Sequence, residues 1–335
     1  MAFRPDLCLT FARYGPALLL YNKRGTTSLT ASPEKDPMRT FPLFLAATFL
    51  AAALPAAAQD AAPPAGEQDI VVTGRVEARE EQIREFVDAF TRKPGQDQLS
   101  RFEFAICPAT YGIGAEASQS VVARLRRIAK ALDIPVGKPN CTPNVLVMVT
   151  ADKKVLIETI EKKYSQLLGE MPARKVREMA NAPGSAAAWQ VQGPPLDADG
   201  AEITEGGASG VRVNRTFRQT SRMTPAARPQ LLGAVVIVEQ EALIGMTATQ
   251  LADYAAMRTL AATDPARLPA GAPQTILTIL DAPDSAEVPL SMTQWDVAFL
   301  KALYAAPTGL YAGAERSAIR KQMEKALQSG EEAEQ

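Results

Sequence analysis

The chain has 335 residues, with 36 Lys and Arg against 37 Asp and Glu and a formal net charge of −1. It carries no basic excess to neutralise a phosphate backbone, so nucleic acid is excluded as a partner. Apolar residues make up 47% and charged residues 22%, enough for a folded core, while 25 Pro and 21 Gly predict long irregular connections. There is no histidine. A Ser-His-Asp triad, a Cys-His pair and an HExxH zinc site are therefore impossible, and the commonest zinc ligand is missing.

In chain order, residues 1–37 read as an upstream extension without structure of its own; their one apolar run, 17–21, is too short to span a membrane. Residues 38–58 read as a secretory signal peptide. Arg39 supplies the charged start, 41–54 the apolar stretch, and Ala56, Ala57 and Ala58 a small-residue cleavage site before Gln59. The apolar stretch stops at Pro55 and is shorter than a spanning helix requires, so no membrane span is expected after cleavage. The expected location is periplasmic or secreted. Of three cysteines, Cys8 lies upstream, and Cys107 with Cys141 is then an even pair in an oxidising compartment, predicting a disulfide.

Residues 59–76 are expected to be a flexible lead. Within it, Asp69-Ile70-Val71-Val72-Thr73-Gly74-Arg75 resembles the short segment that TonB-dependent outer-membrane receptors offer to a periplasmic coupling protein; as a physical pattern it predicts an edge strand or flexible arm. Residues 77–180 are expected to form an N-terminal α/β half. Ile83, Phe86, Val87 and Phe90 recur at i, i+3, i+4 and i+7, predicting a helix over 77–92. A short strand is expected at 102–106. Gly112-Ile113-Gly114-Ala115-Glu116-Ala117 has dinucleotide-loop spacing, but Cys107-Pro108 before it and the export address favour a plain helix-entry loop. The helix over 118–132 directs Val121, Val122, Leu125, Ile128 and Leu132 inward and leaves Arg124, Arg127 and Lys130 on a solvated face. Residues 145–150, VLVMVT, lack alternation and predict a strand buried on both faces. A helix carrying Leu156, Ile160, Tyr164 and Leu167 follows, then a shorter one starting at Met171-Pro172.

Residues 181–210 are rich in Pro and Gly and read as an interdomain linker or a surface excursion. Asp197-Ala198-Asp199-Gly200 looks like the start of a calcium loop, but position twelve is Ala208, so a turn is expected. Residues 211–328 are expected to form a C-terminal α/β half. Its first strand, 211–220, puts Arg212 and Arg218 on one face, and Arg215 and Arg222 extend a basic strip. Such charges guard a sheet edge, or bind an anionic envelope ligand such as a phosphorylated lipid or acidic glycan. A buried strand is predicted at 234–239, and Thr247-x-x-Gln250 opens a helix burying Leu251, Tyr254, Met257 and Leu260. A strand at 275–281, a second box at Ser291-x-x-Gln294 with Trp295, Phe299 and Leu303, and a helix over 314–327 with Ile319, Met323 and Leu327 inward complete the chain before an acidic tail, 329–335.

Leu290-Ser291, Asp296 and Leu303-Tyr304 resemble the closing helix of metzincin-type zinc peptidases, with Gln250 and Tyr254 where that family carries paired histidines. The chain as a whole is also similar to uncharacterised exported proteins of alphaproteobacteria. The metzincin resemblance implies a zincin-like fold without metal or peptidase chemistry. The expected fold is therefore α+β, with α/β as the alternative: a mixed sheet and packed amphipathic helices. The expected function is that of an exported, non-catalytic binding or accessory protein of the cell envelope, with an envelope protein, lipid or glycan as partner and no cofactor. The alternative is a histidine-independent hydrolase using Asp or Glu pairs.

Overall fold

Two runs of β-branched and aliphatic side chains, Val145–Thr150 and Leu231–Glu239, form adjacent parallel strands paired over six residues from Val145↔Ala234 to Thr150↔Glu239. The computed structural model describes residues 68–91, 98–206, 211–212, 214, 216, 221, 225–283 and 286–334. In chain order the labelled elements are α1 (Gln68–Thr91), β1 (Pro108–Tyr111), α2 (Ala115–Ala131), β2 (Val145–Thr150), α3 (Lys153–Lys163), α4 (Ala173–Asn181), β3 (Ala186–Gln192), β4 (Leu231–Glu239), α5 (Ala248–Leu260), α6 (Gln294–Ala305) and α7 (Ala312–Glu334). The four strands form one sheet in the order β1-β2-β4-β3, parallel except for β3. This is an α+β fold, as the sequence predicts.

Both faces of the sheet are covered, which is why its central strands show no alternation. Val145, Val147 and Val149 with Ala234, Val236 and Val238 face the larger cluster, which takes in Phe86, Leu125, Met257, Phe299 and Ile319 from α1, α2, α5, α6 and α7. Leu146, Met148, Val235 and Ile237 face a smaller cluster built by Ile157 and Ile160 of α3, Val176 of α4 and Trp189 of β3. Edge-to-face contacts fasten α1 to α6, with the Phe86 ring 6.0 Å from that of Phe299.

Several expectations need correction. α1 begins at Gln68, so the 69–75 stretch is helical backbone rather than strand or arm; once the docked half of the helix exists, each further residue adds a bond without a new nucleation cost. The strand expected at 102–106 lies after the disulfide, at Pro108–Tyr111; Arg101 and Ile106 make only single bridges, to Gln230 and Val136. Pro108 is tolerated as the first residue of an edge strand. The 181–210 segment is no linker between separate halves, because it contributes β3 to the sheet shared by β1, β2 and β4, and Ile70–Gln335 forms one compact unit. At 275–281 the chain makes a 3-10 turn, Ile276–Thr278, instead of a strand: the Thr275 hydroxyl accepts from Leu277 N and starts the turn. The second capping box is Thr293-x-x-Asp296, two residues later than expected, whereas the box at Thr247 and Gln250 is as predicted. Among the described residues no helix is long and apolar enough to cross a membrane.

Cys107 and Cys141 are bonded, with Cα atoms 6.0 Å apart and a separation of 34 in sequence. Closing that loop stabilises the fold by about 3–4 kcal/mol on the chain-entropy model. Thiol mapping of unreduced, denatured protein is expected to find neither cysteine labelled, and the Cys107→Ser, Cys141→Ser double variant to lose about that much in urea titration.

The Gly112-x-Gly114 loop separates β1 from α2 and is a helix entry. Gly112 has φ +81° and a Cβ there would lie 1.9 Å from Val149 O, whereas a Cβ on Gly114 meets nothing within 4 Å. Gly112→Ala should destabilise the protein by ~2 kcal/mol or more, and Gly114→Ala should be near neutral in the same thermal or urea assay. A loop shaped for a pyrophosphate would need both glycines.

Candidate functional site

β3 is an edge strand, and its free side opens into a cleft. Ser185 O accepts from Glu239 N at 2.8 Å, which sets the antiparallel register in which Ala187↔Ile237 and Trp189↔Val235 are the bonded pairs. The alternate residues Ala186, Ala188 and Gln190 therefore aim their N–H and C=O groups outward, where among the described residues they meet no hydrogen-bond partner. The cleft measures about 990 Å³. One wall is Lys175 and Met179 of α4 with Met171 just before it, and the other is Tyr254 and Arg258 of α5 with the Pro265 turn. The small side chains of 186–188 leave the strand accessible between those walls.

Three side chains hold this edge in place. The Lys153 ammonium, itself buried, donates to Ala182 O at 2.7 Å and also to Gly184 O, fixing the lip where the chain enters β3. Trp189 Nε1 donates to Leu167 O at 2.7 Å, and Gln190 Nε2 to Arg258 O at 2.8 Å, tying the strand to both layers.

Arg258 is 8% exposed and lines the cleft. Its Nη1 donates to the Tyr254 hydroxyl at 2.8 Å, its guanidinium carbon lies 5.6 Å from the centre of the Tyr254 ring, and its Nε is buried without a partner. Burial pushes the Tyr254 phenol upward, against the opposing pull of Arg258.

Several other buried charged groups are paired within the fold. Asp253 of α5 is 0% exposed and accepts from Arg124 Nε at 2.8 Å, Arg124 Nη2 at 3.0 Å, the Ser291 hydroxyl at 2.6 Å and Met292 N at 2.9 Å. Arg124 is thus not on a solvated face, because α5 packs over that side of α2. Burial raises the Asp296 carboxyl, opposed by donors from Thr275, Ile276 N and Thr293; with the N-cap Thr293 it forms the capping box of α6, and through Thr275 and Ile276 it ties that helix end to the preceding turn. Burial also raises Glu315, against Leu99 N and Arg101. Arg101 donates to Leu303 O at 2.6 Å and Ala306 O at 2.8 Å, closing the C-terminal end of α6.

The residues singled out in sequence fare differently. The disulfide pair is structural, with Cys107 N donating to Asn144 Oδ1 at 2.6 Å just before β2. Of the basic strip, the backbone of Arg212 pairs with Glu205 in a two-residue ladder, while its side chain and Arg215, Arg218 and Arg222 lie outside the described residues, as does the 38–58 signal segment. Asp197 accepts from Asp199 N and Ala201 N, so the calcium-like tetrapeptide is a turn. Of the positions resembling a metzincin, Gln250 completes the capping box of α5 and donates to Pro289 O, Tyr304 donates to Leu260 O, and Leu290 is exposed. Among the described residues no group of three His, Cys, Asp or Glu is placed to hold a metal ion. No family model, curated protein or solved structure matches the chain.

Arg124→Met would leave Asp253 buried and without its cation, which is expected to lower stability by about 3 kcal/mol. A solvated arginine would change it by roughly 0.5 kcal/mol or less. Urea midpoints of Arg124→Met, Asp253→Asn and the double variant measure the coupling directly.

Proposed function

We propose that the protein is an exported, non-catalytic binding or accessory protein of the cell envelope, and that its binding site is the cleft along β3, which takes an extended polypeptide as a fifth strand. The observation that carries this reading is the row of unpaired outward groups on Ala186, Ala188 and Gln190 inside a walled groove. Exposed sheet edges are ordinarily blunted by charge, proline or cover, because they template strand pairing. Here the strand is lined by alanine and lies open between two walls, the arrangement used in strand-addition recognition. The pair of cysteines joined at 107 and 141 suits an oxidising compartment such as the periplasm.

The hydrolase alternative asks for convergent carboxylates with raised pKa in a cleft. The two carboxyls that burial raises, Asp296 and Glu315, are committed to helix ends and do not line the groove.

The test is selection from a display library of ten-residue peptides, followed by amide exchange on the complex. Binding is expected to protect the amides of Ala186, Ala188 and Gln190. Ala188→Pro, which removes an outward N–H and no ladder bond, should abolish binding while preserving the fold. A library without binders, or a complex in which those amides stay as exchangeable as before, would overturn the reading.

A further inference from the structure

We infer that Arg258 reads a carboxylate on the incoming strand, so the cleft selects acidic over neutral segments; this rests on the strand-addition reading and narrows it. Alternate side chains of a strand face opposite sides of the sheet. Ala186 and Ala188 pack toward the cluster that contains Tyr254 and Met257 of α5, and the Gln190 side chain on the same side reaches Arg258 O. A strand laid beside β3 therefore turns every second side chain toward the wall that carries Arg258.

What that wall offers is a cation short of partners. Arg101, Arg124, Arg228 and Arg320 each hold a carboxylate: Glu315, Asp253, Glu103 and Asp88. Arg258 is as buried as Arg101 yet makes no ion pair among the described residues. Its guanidinium has one hydrogen bond, to Tyr254, and an orphaned Nε. Asp264 and Asp281 line the same cleft but form no ion pair with it. A buried cation with unmet donors is costly, and a carboxylate arriving in the fork of a guanidinium removes that cost with two parallel bonds. Tyr254 presets the fork by occupying Nη1 and supporting the guanidinium with its ring.

The carboxylate can come from an Asp or Glu side chain or from the free C-terminus of the bound segment. Four ten-residue peptides of alternating Thr and Val separate these sources: Glu or Gln at one central position of the α5-facing register, each with a free or an amidated C-terminus. Titrated against the full-length protein by fluorescence anisotropy, a side-chain carboxylate should give Glu peptides at least about tenfold tighter binding than Gln peptides, whatever their C-terminus. A terminal carboxylate should give the same ratio between free and amidated forms. Either ratio should fall to near one in Arg258→Met. Should that variant not fold, the nitrogen-15 resonance of the wild-type Arg258 Nε–H provides the second readout and should move on adding the tighter peptide and not its neutral counterpart. Equal affinity of all four peptides would overturn carboxylate recognition while leaving strand addition standing. Failure of all four to bind would overturn both.

Discussion

Pairing of β2 with β4 is the constraint on which the remaining structure depends. The two strands lie side by side in the centre of the sheet, with apolar side chains on both faces, so neither can form until helices cover both sides. That requirement explains the order of the chain. α2 returns from β1 to β2 on one face, α3 and α4 cover the other before β3, and α5 follows β4 onto the larger cluster. β3 then lies at the end of the sheet, antiparallel, with one side satisfied by β4 and the other open.

The helices on the larger face are locked by charges as much as by packing. Arg101 closes the C-terminal end of α6, Asp296 its N-terminal end, and Asp253 joins α5 to α2 and to the turn before α6. Each of these groups is buried and each has several partners, so their worth lies in geometry: buried ionic groups add little net stability but tolerate few alternative arrangements. These bonds tie the α5 wall of the cleft, which carries Arg258, to α2 and to the turn before α6.

Much of this was legible in the sequence because the signal was local. VLVMVT and AVVIVE are unbroken apolar runs, and the helical faces of α1, α2, α5 and α7 repeat at helical spacing. The capping box at Thr247 needed only its own four residues. At residues 291–296 two boxes compete, Ser291 with Gln294 and Thr293 with Asp296, and a tertiary contact decides between them, since Ser291 turns to Asp253. Arg124 sat on the helix face that looked outward, and nothing local announced that α5 would cover it. β3 escaped notice because its three alanines carry no alternation and the alternating part, Trp189 to Gln192, is only four residues long between Pro- and Gly-rich flanks. The cleft itself could not be read at all, for the openness of a strand edge belongs to topology and not to any run of residues.

Unmet buried atoms also occur away from the cleft, at Gln230 Oε1 and Arg320 Nε, so what sets Arg258 apart is that it lacks the carboxylate partner which Arg101, Arg124, Arg228 and Arg320 each have. Buried carboxylates and guanidiniums elsewhere are paired, bonded to helix ends, or both, as the cost of leaving them bare demands. Along the cleft the outward peptide groups of 186, 188 and 190 stand without partners among the described residues, and Arg258, which lines the same groove, has no ion pair and a buried, unpartnered Nε. Water can serve the peptide groups at rest, but an extended chain would satisfy them in register, and a carboxylate on its α5-facing side would satisfy the guanidinium in the same event. The two deficits differ in kind, one a ladder of alternating donors and acceptors, the other a single cation. A ligand that meets both must therefore be a polypeptide, and an acidic one, because a lipid headgroup or a glycan supplies the anion without the ladder.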